Sequence, residues 1–228
     1  MSTRPLSICF RTDQPPAIDG RLDDPVWQQV AWIDLVEAGL GGPPLQATRA
    51  AWVWDDHALY VAFYCLDRDI WGITDARDQP IYDQEVVEVF LDADCDGHGY
   101  VEIEVSPRNA VLDLFMLWRD DIQRGLWDWR CEGLRTAVWV DGDPTRRDSQ
   151  DRLWTVEMAI PWSNLVTAPH LPPIDGDEWL ANLYRIDRAV EGDEYSAWSP
   201  PMRINYHTPS CFGRLRFSTR DVADRTET

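Results

Sequence analysis

The sequence predicts an all-β fold, an antiparallel β-sandwich of two sheets in the immunoglobulin or jelly-roll style, with very little helix. Three observations lead there. Short runs rich in β-branched and aromatic residues recur along the chain, ten or so of them, each bounded by turn residues. No stretch keeps a 3.6-residue apolar repeat for more than a turn. Several runs also carry a carboxylate among apolar neighbours: Val86-Val87-Glu88-Val89-Phe90-Leu91, Tyr100-Val101-Glu102-Ile103-Glu104-Val105 and Trp154-Thr155-Val156-Glu157-Met158-Ala159-Ile160. Strands send alternate side chains to opposite faces. Glu102 and Glu104 therefore share one face, while Val101, Ile103 and Val105 share the other.

In chain order, Leu6–Phe10 reads as a first edge strand. Asp23-Asp24-Pro25-Val26-Trp27 reads as a short helical turn, with Asp24 as cap and Pro25 at its first position. Gly39 to Pro44 is a loop. Thr48–Trp54 and Ala58–Leu66 form a hairpin across Asp55-Asp56-His57. Asp67 to Gln84 is a long polar loop holding Trp71 and Tyr82, of a length that in compact domains is often functional. Glu85–Leu91 and Tyr100–Val105 form a hairpin whose turn contains Asp96-Gly97. Val111–Trp118 is the next strand, and Asp120 to Asp128 is a polar connection. Leu134–Val140 and Leu153–Ile160 pair across a polar loop, and Pro161 to Leu165 is a helical turn. Trp179–Asp187, Tyr195–Trp198 and Phe212–Phe217 close the fold. Residues 1–217 form one domain on this reading. Residues 218–228 form a polar, frayed tail.

Composition narrows the function. The 228 residues carry a formal net charge of −19, and all 21 basic residues are arginine, so no lysine is available for a Schiff base or a phosphate loop. A surface this acidic repels nucleic acid and anionic membranes. No run approaches the roughly 20 apolar residues of a membrane span. The five cysteines, Cys9, Cys65, Cys95, Cys131 and Cys211, form no CxxC pair, which excludes the usual zinc spacing. They read as small buried hydrophobes and permit a reducing compartment. The first residues lack the apolar stretch of a signal peptide. The 13 tryptophans must be core residues or half-buried platforms, and their indole N–H groups need acceptors. Neutral polyols and metal cations remain as ligands.

The landmarks, in order, resemble the family 9 carbohydrate-binding modules within the wider DOMON-like sandwich group. They are Ile18-Asp19-Gly20 with Asp23-Asp24-Pro25 and Trp27, then Ala51-Trp52-Val53-Trp54-Asp55-Asp56 with Leu59-Tyr60-Val61. Next come Val87-Glu88-Val89-Phe90-Leu91-Asp92, Trp154-Thr155-Val156-Glu157 with Ala159-Ile160-Pro161-Trp162, Ser196-Ala197-Trp198-Ser199, and Phe212-Gly213 with Leu215. The resemblance implies binding without catalysis: a sugar gripped between two aromatic rings, within or beside a larger glycan-active protein, secreted or extracytoplasmic. It implies one ring six residues before the strand glutamate, Tyr82, and another six before the Phe-Gly pair, Tyr206. Both positions are typically tryptophan in the sugar-binding members. A family glutamine corresponds to Glu102, and a family asparagine falls at Arg203 or Asn205.

These residues suit the chemistry. A pyranose packs its C–H face on an aromatic ring and presents hydroxyls at its rim. Glu88 accepts from adjacent hydroxyls, Arg203 or Asn205 donates, and His207 stands beside Tyr206. The expected ligand is a neutral mono-, oligo- or polysaccharide. Asp92-x-Asp94-x-Asp96-Gly97 opens like a calcium loop, although its twelfth position is Ile103, and the resemblance leaves room for a structural calcium. An acidic hairpin turn explains the same residues. Two further readings stay open. Glu88 with Glu102 or Glu157 could form a glycoside-cleaving carboxylate pair, about 5 Å apart for retention or about 6.5–9.5 Å for inversion. Met116, Met158 or Met202 could serve a haem, as in some DOMON-like sandwiches.

Overall fold

Residue parity sorts the side chains of this protein into three layers. The computed structural model describes residues 4–119, 122–147, 150–190 and 192–225. Their strands are β1 Leu6–Arg11, β2 Ile33–Asp34, β3 Val36–Glu37, β4 Thr48–Trp54, β5 Ala58–Leu66, β6 Val86–Asp92 and β7 Gly99–Val105. The rest are β8 Val111–Arg119, β9 Ile122–Leu126, β10 Arg135–Asp141, β11 Leu153–Pro161, β12 Glu178–Ala189, β13 Gly192–Ala197 and β14 Gly213–Asp221. One short helix, α1, spans Pro25–Gln29 and opens on the expected proline; Asp24 makes no side-chain cap bond to it.

The strands form one ladder in the order β10-β11-β5-β4-β1-β14-β12-β6-β7-β8-β9. It folds over at β1. That strand pairs with β14 along its length but meets β4 only at Phe10–Val53 and Arg11–Trp54. The two halves then face each other. Leu59, Val61, Phe63, Val156 and Met158 from one half share a buried core with Val87, Val89, Leu91, Val101, Ile103, Leu183 and Phe217 from the other. Two sheets packed on a common apolar layer are a β-sandwich.

The expectation of an antiparallel edge strand at Leu6–Phe10 needs correction. β1 has neighbours on both sides and runs parallel to each. Its half-polar pattern arises because it sits in the fold between the two sheets, where most of its side chains are only partly covered. The connection after Trp118 contains a strand, β9, paired with β8. This outermost strand is exposed or half-exposed along its length, so it has no apolar alternation to betray it. The last strand runs past Phe217 to Asp221. There Val222 is buried against Val26, Trp27 and Tyr60.

The two outer faces differ. Over the β10-β11-β5-β4 half, Ala51, Val53, Tyr60, Ala62 and Ala159 are covered by Val26, Trp27 and Val30 of the α1 segment. Over the β12-β6-β7-β8 half, Val86, Phe90, Tyr100, Leu112, Leu114, Met116, Tyr184 and Ile186 form a second apolar layer, closed by Tyr206 and Phe212. Among the described residues no helix is long and apolar enough to cross a membrane. All five cysteines are free thiols, with Cys9, Cys65 and Cys131 buried.

Candidate ligand-binding site

The second outer layer carries a cleft of about 400 Å³. β6 and β7 contribute Glu88 and Glu102 to it, β8 contributes Leu114 and Met116, and β12 contributes Ile186 and Arg188. The long loop before β6 adds Tyr82, and the segment before β14 adds Asn205, Tyr206 and His207. Six residues placed at the site by sequence, Tyr82, Glu88, Glu102, Asn205, Tyr206 and His207, therefore line one opening.

Arg203 does not. It borders a neighbouring groove with Cys95, Asp96, Trp118 and Thr208, and its guanidinium donates to Thr208 Oγ1 at 3.0 Å. Of the two candidate donors, only Asn205 reaches the cleft. The two tyrosines are also unequal. Tyr82 is 38% exposed, whereas Tyr206 is only 7% exposed. Tyr184 stacks on Tyr206 at 4.0 Å between ring centroids, with 14° between planes. The Tyr206 hydroxyl donates to the carbonyls of Arg185 at 2.6 Å and Ser196 at 3.2 Å, across paired strands β12 and β13. Tyr206 is thus a fixed wall with one face already covered. The sequence reading omitted Trp127, which lies just after β9, is 50% exposed and lines the cleft. Its signal was a tryptophan in a polar stretch with no apolar strand to bury it.

Beneath the opening lie three buried carboxylates. Pairing of β6 with β7 sets Glu88 opposite Glu104, and Glu102 lies two residues along the same face. One oxygen of each lies within 4.8 Å of those of the other two. Burial, then the negative charge of Glu102, holds Glu88 well above the usual carboxylate range. Burial, then Glu88 and Glu102, does the same to Glu104. Burial pushes Glu102 up to about 7, against a hydrogen bond from Glu104. Glu102 Oε2 and Glu104 Oε2 have no hydrogen-bond partner among the described residues. His207 Nδ1 approaches Glu102 Oε2 at 3.7 Å, but burial pushes the imidazole down to about 4. At neutral pH it is uncharged there, and its contact is the 2.8 Å hydrogen bond shared with the Tyr100 hydroxyl. Among the described residues that line this cleft, Arg188 is the cation. It is committed to the Tyr82 carbonyl at 2.7 Å, the Tyr195 hydroxyl at 2.7 Å, and Asp193.

Glu157 is elsewhere. Its strand position places it on the other outer face, beside Ala159 and under Trp27, with the whole inter-sheet core between it and Glu88. It accepts from Trp27 Nε1 at 2.7 Å, Gly20 N at 2.8 Å and Asp19 N at 3.1 Å. A Glu88–Glu157 catalytic pair is therefore ruled out by topology. Glu88 and Glu102 sit closer together than an inverting mechanism requires. The methionines considered for haem also scatter: Met158 is in the inter-sheet core, Met116 lines the cleft, and Met202 is exposed.

Asp92, Asp94 and Asp96 do converge in the β6–β7 turn, one oxygen of each within 4.8 Å of the others. Much of that donor set holds the turn itself. Asp92 Oδ2 accepts from Gly97 N at 3.0 Å, and Asp96 Oδ1 from His98 N at 2.6 Å and Gly99 N at 3.3 Å. Asp92 Oδ1 alone is left buried without a partner. A further buried cluster escaped the sequence reading. Arg185, fully buried, bonds Asp67 at 2.7 Å, Asp187 at 3.1 Å and the Leu66 carbonyl at 2.7 Å, beside Glu85. An arginine inside Leu183-Tyr184-Arg185-Ile186 was its only signal.

Known proteins share this architecture. A protein of Bacteroides uniformis proposed to bind carbohydrate superposes with a TM-score of 0.76 at 14% identity, over 95% of this chain and all of that one. A family 9 carbohydrate-binding module of Caldicellulosiruptor kristjanssonii, solved in complex with cellotriose, gives 0.65 at 18% identity, over 97% and 99% of the two chains. A family 9 module of that organism solved in complex with glucose gives the same score and identity, over 97% of this chain and all of that one. Likeness at such identities speaks for the fold. Exoglucanase XynX of Acetivibrio thermocellus is 33% identical over 100 residues, which is 44% of this chain and 9% of that enzyme. The model of the carbohydrate family 9 binding domain-like family matches residues 18–220, nearly the whole of the sandwich, and the chain belongs to that family.

Proposed function

We propose that the cleft holds a neutral saccharide and performs no chemistry on it. The exposed rings of Tyr82 and Trp127 offer flat apolar faces to the C–H side of a pyranose. Tyr206 closes the wall behind. Glu88 and Glu102 hydrogen-bond sugar hydroxyls at the floor, where low dielectric strengthens such bonds. Asn205 supplies both donor and acceptor at the rim. One observation carries this reading. Loop, strand and terminal segments far apart in sequence bring exposed aromatics and carboxylates to one opening of about 400 Å³, the size range of a small-molecule site. Glucose and cellotriose, the ligands in the Caldicellulosiruptor structures, are the natural probes. Since the chain spans only 9% of the exoglucanase, we take it to serve a larger glycan-active protein as a targeting module.

Calorimetric titration against neutral mono- and oligosaccharides tests the site. Tyr82→Ala removes one ring face, worth about 1–2 kcal/mol of contact, so affinity should fall about five- to thirtyfold. Binding unchanged in both Tyr82→Ala and Trp127→Ala would remove the cleft from consideration. Release of reducing sugar by the wild type, lost in Glu88→Gln, would make the site an enzyme's.

A further inference from the structure

The floor of the cleft holds more carboxyl groups than a sugar needs. We propose that Glu88, Glu102 and Glu104 bind a calcium ion there, and that vicinal hydroxyls of the saccharide take further positions in its coordination.

The geometry comes from the sheet. Antiparallel pairing fixes Glu88 against Glu104, and the two-residue repeat of β7 puts Glu102 beside them. Calcium–oxygen bonds are about 2.3–2.6 Å long, so two ligands of one ion lie at most about 5 Å apart. The three glutamate oxygens, each within 4.8 Å of the others, meet that bound.

The unmet hydrogen-bonding capacity of these oxygens points the same way. Among the described residues, Glu102 Oε2 and Glu104 Oε2 are buried without a hydrogen-bond partner. Around them stand Phe90, Tyr100, Leu112, Leu114 and Tyr184, which offer no cation. Arg188 bonds Tyr82, Asp193 and Tyr195 and favours the ionised form of Glu88 alone of the three, and His207 Nδ1 shares its hydrogen bond with the Tyr100 hydroxyl. The chain has no lysine. Buried carboxylates stay charged only when paired or bound to a metal. Glu157 shows how this fold satisfies a buried glutamate when it intends to, with three donors.

The donor set selects the ion. Three carboxylates and no thiolate suit a hard cation. Calcium accepts six to eight oxygens in flexible geometry, which leaves room for hydroxyls beside three carboxylates, whereas magnesium demands a near-ideal octahedron and dehydrates reluctantly. Glu88 and Glu102 also line the cleft, so the open side of the ion faces the ligand. Two adjacent sugar hydroxyls are then suitable chelators. The part concerning the sugar rests on the carbohydrate reading above; the cation site does not.

The test strips the full chain with a chelator and titrates it with calcium chloride by calorimetry, then with glucose and cellotriose, with and without calcium. Expected are one calcium site in the wild type, affinity at least tenfold weaker in Glu104→Gln, and saccharide binding at least tenfold weaker under chelation. Circular dichroism verifies that Glu104→Gln is folded, and Glu88→Gln at the cleft surface replaces it if it is not. Absence of calcium binding by the folded wild type overturns the proposal. So does a calcium site lost in Asp94→Asn but kept in Glu104→Gln, which places the ion in the β6–β7 turn. Saccharide binding indifferent to chelation removes calcium from recognition and leaves the carbohydrate reading standing. Glu104-dependent calcium binding with no saccharide bound keeps the metal site and defeats the carbohydrate reading.

Discussion

Replacing Glu157 with glutamine should destabilise the protein strongly and leave its ligand affinity alone. In the wild type one carboxylate serves three donors. Trp27 Nε1 bonds Oε1 at 2.7 Å, while Gly20 N at 2.8 Å and Asp19 N at 3.1 Å share Oε2. Glutamine keeps the volume but offers one acceptor oxygen. If that oxygen stays with Gly20 and Asp19, the amide NH2 confronts the Trp27 indole N–H; if it turns to Trp27, two backbone N–H groups lose their acceptor. Trp27 and Gly20 are buried, so water cannot replace what is lost. An orphaned buried donor costs about 1–3 kcal/mol, and exchanging charged for neutral acceptors costs about 1 kcal/mol more. A total near 3 kcal/mol follows. At about 2–4 °C per kcal/mol for a chain of this size, the midpoint of thermal unfolding should fall by about 6–12 °C. Differential scanning calorimetry reads the shift. Saccharide titration at a temperature where both proteins are folded should give affinities within twofold, because the cleft lies on the opposite face. A fall of less than 2 °C would refute the three-donor argument. A matching loss of affinity would refute the separation of the two faces.

Two other outcomes follow from the buried network and the closing motif. Burial pushes Glu85 up to about 11, and the neighbouring Asp67 and Asp187 act in the same direction while Arg185 opposes them. The native state therefore keeps a proton that the unfolded chain releases above about pH 4.5, and stability drains as pH rises from there towards the folded value. Glu85→Gln mimics the protonated form. Its unfolding midpoint should match wild type near pH 4.5 and exceed it increasingly above, by about 1.4 kcal/mol per pH unit at most; a difference independent of pH between 5 and 8 counts against a neutral Glu85. Gly213→Ala should cost about 1–3 kcal/mol, because a β-carbon there would lie 2.6 Å from Trp198 Cη2. A change in tryptophan fluorescence should accompany it, and an unchanged midpoint would show that the Trp198 ring can yield.

Most strands were legible because they are short apolar runs rich in β-branched and aromatic residues and bounded by turns. Thr48–Trp54, Ala58–Leu66 and Val111 onwards keep apolar residues on the faces they bury, and they stand where the pattern put them. β9 and the parallel pairing of β1 were illegible for opposite reasons. One is a polar outermost strand with nothing to bury; the other is a strand whose partners, β4 and β14, are distant in sequence and not announced by any local turn. The motifs of the family resemblance acquire physical reasons in the structure. Gly20 has φ of +85°, and a β-carbon there would meet the Val138 backbone at 2.6 Å. Gly213 yields its side to Trp198. At the site, the offsets that pointed to Tyr82 and Tyr206 brought both to one cleft, but the degree of burial of each is a tertiary property. Tyr206 is covered by Tyr184, and nothing in either residue's own segment states that.

The three glutamate-bearing strands make the deeper point about what local sequence withholds. Glu157 and Glu88 carry the same signature, an acid among β-branched and aromatic residues, and both end up buried on an outer face of the sandwich. Their roles part because of what arrives over them. The donors to Glu157 come from residues 19, 20 and 27, more than a hundred positions earlier in the chain, and they consume both of its oxygens. The segment arriving over Glu88 and Glu102 brings Tyr206, whose hydroxyl is already bonded to backbone carbonyls, and His207, which burial keeps neutral. One acid is therefore a rivet, while Glu102 beside Glu88 keeps an oxygen without a partner among the described residues. A buried acceptor left without a partner is costly, and a fold sustains that cost where a ligand is to supply the missing group. The saccharide proposed for this face brings donors that the described residues around Glu102 and Glu104 do not.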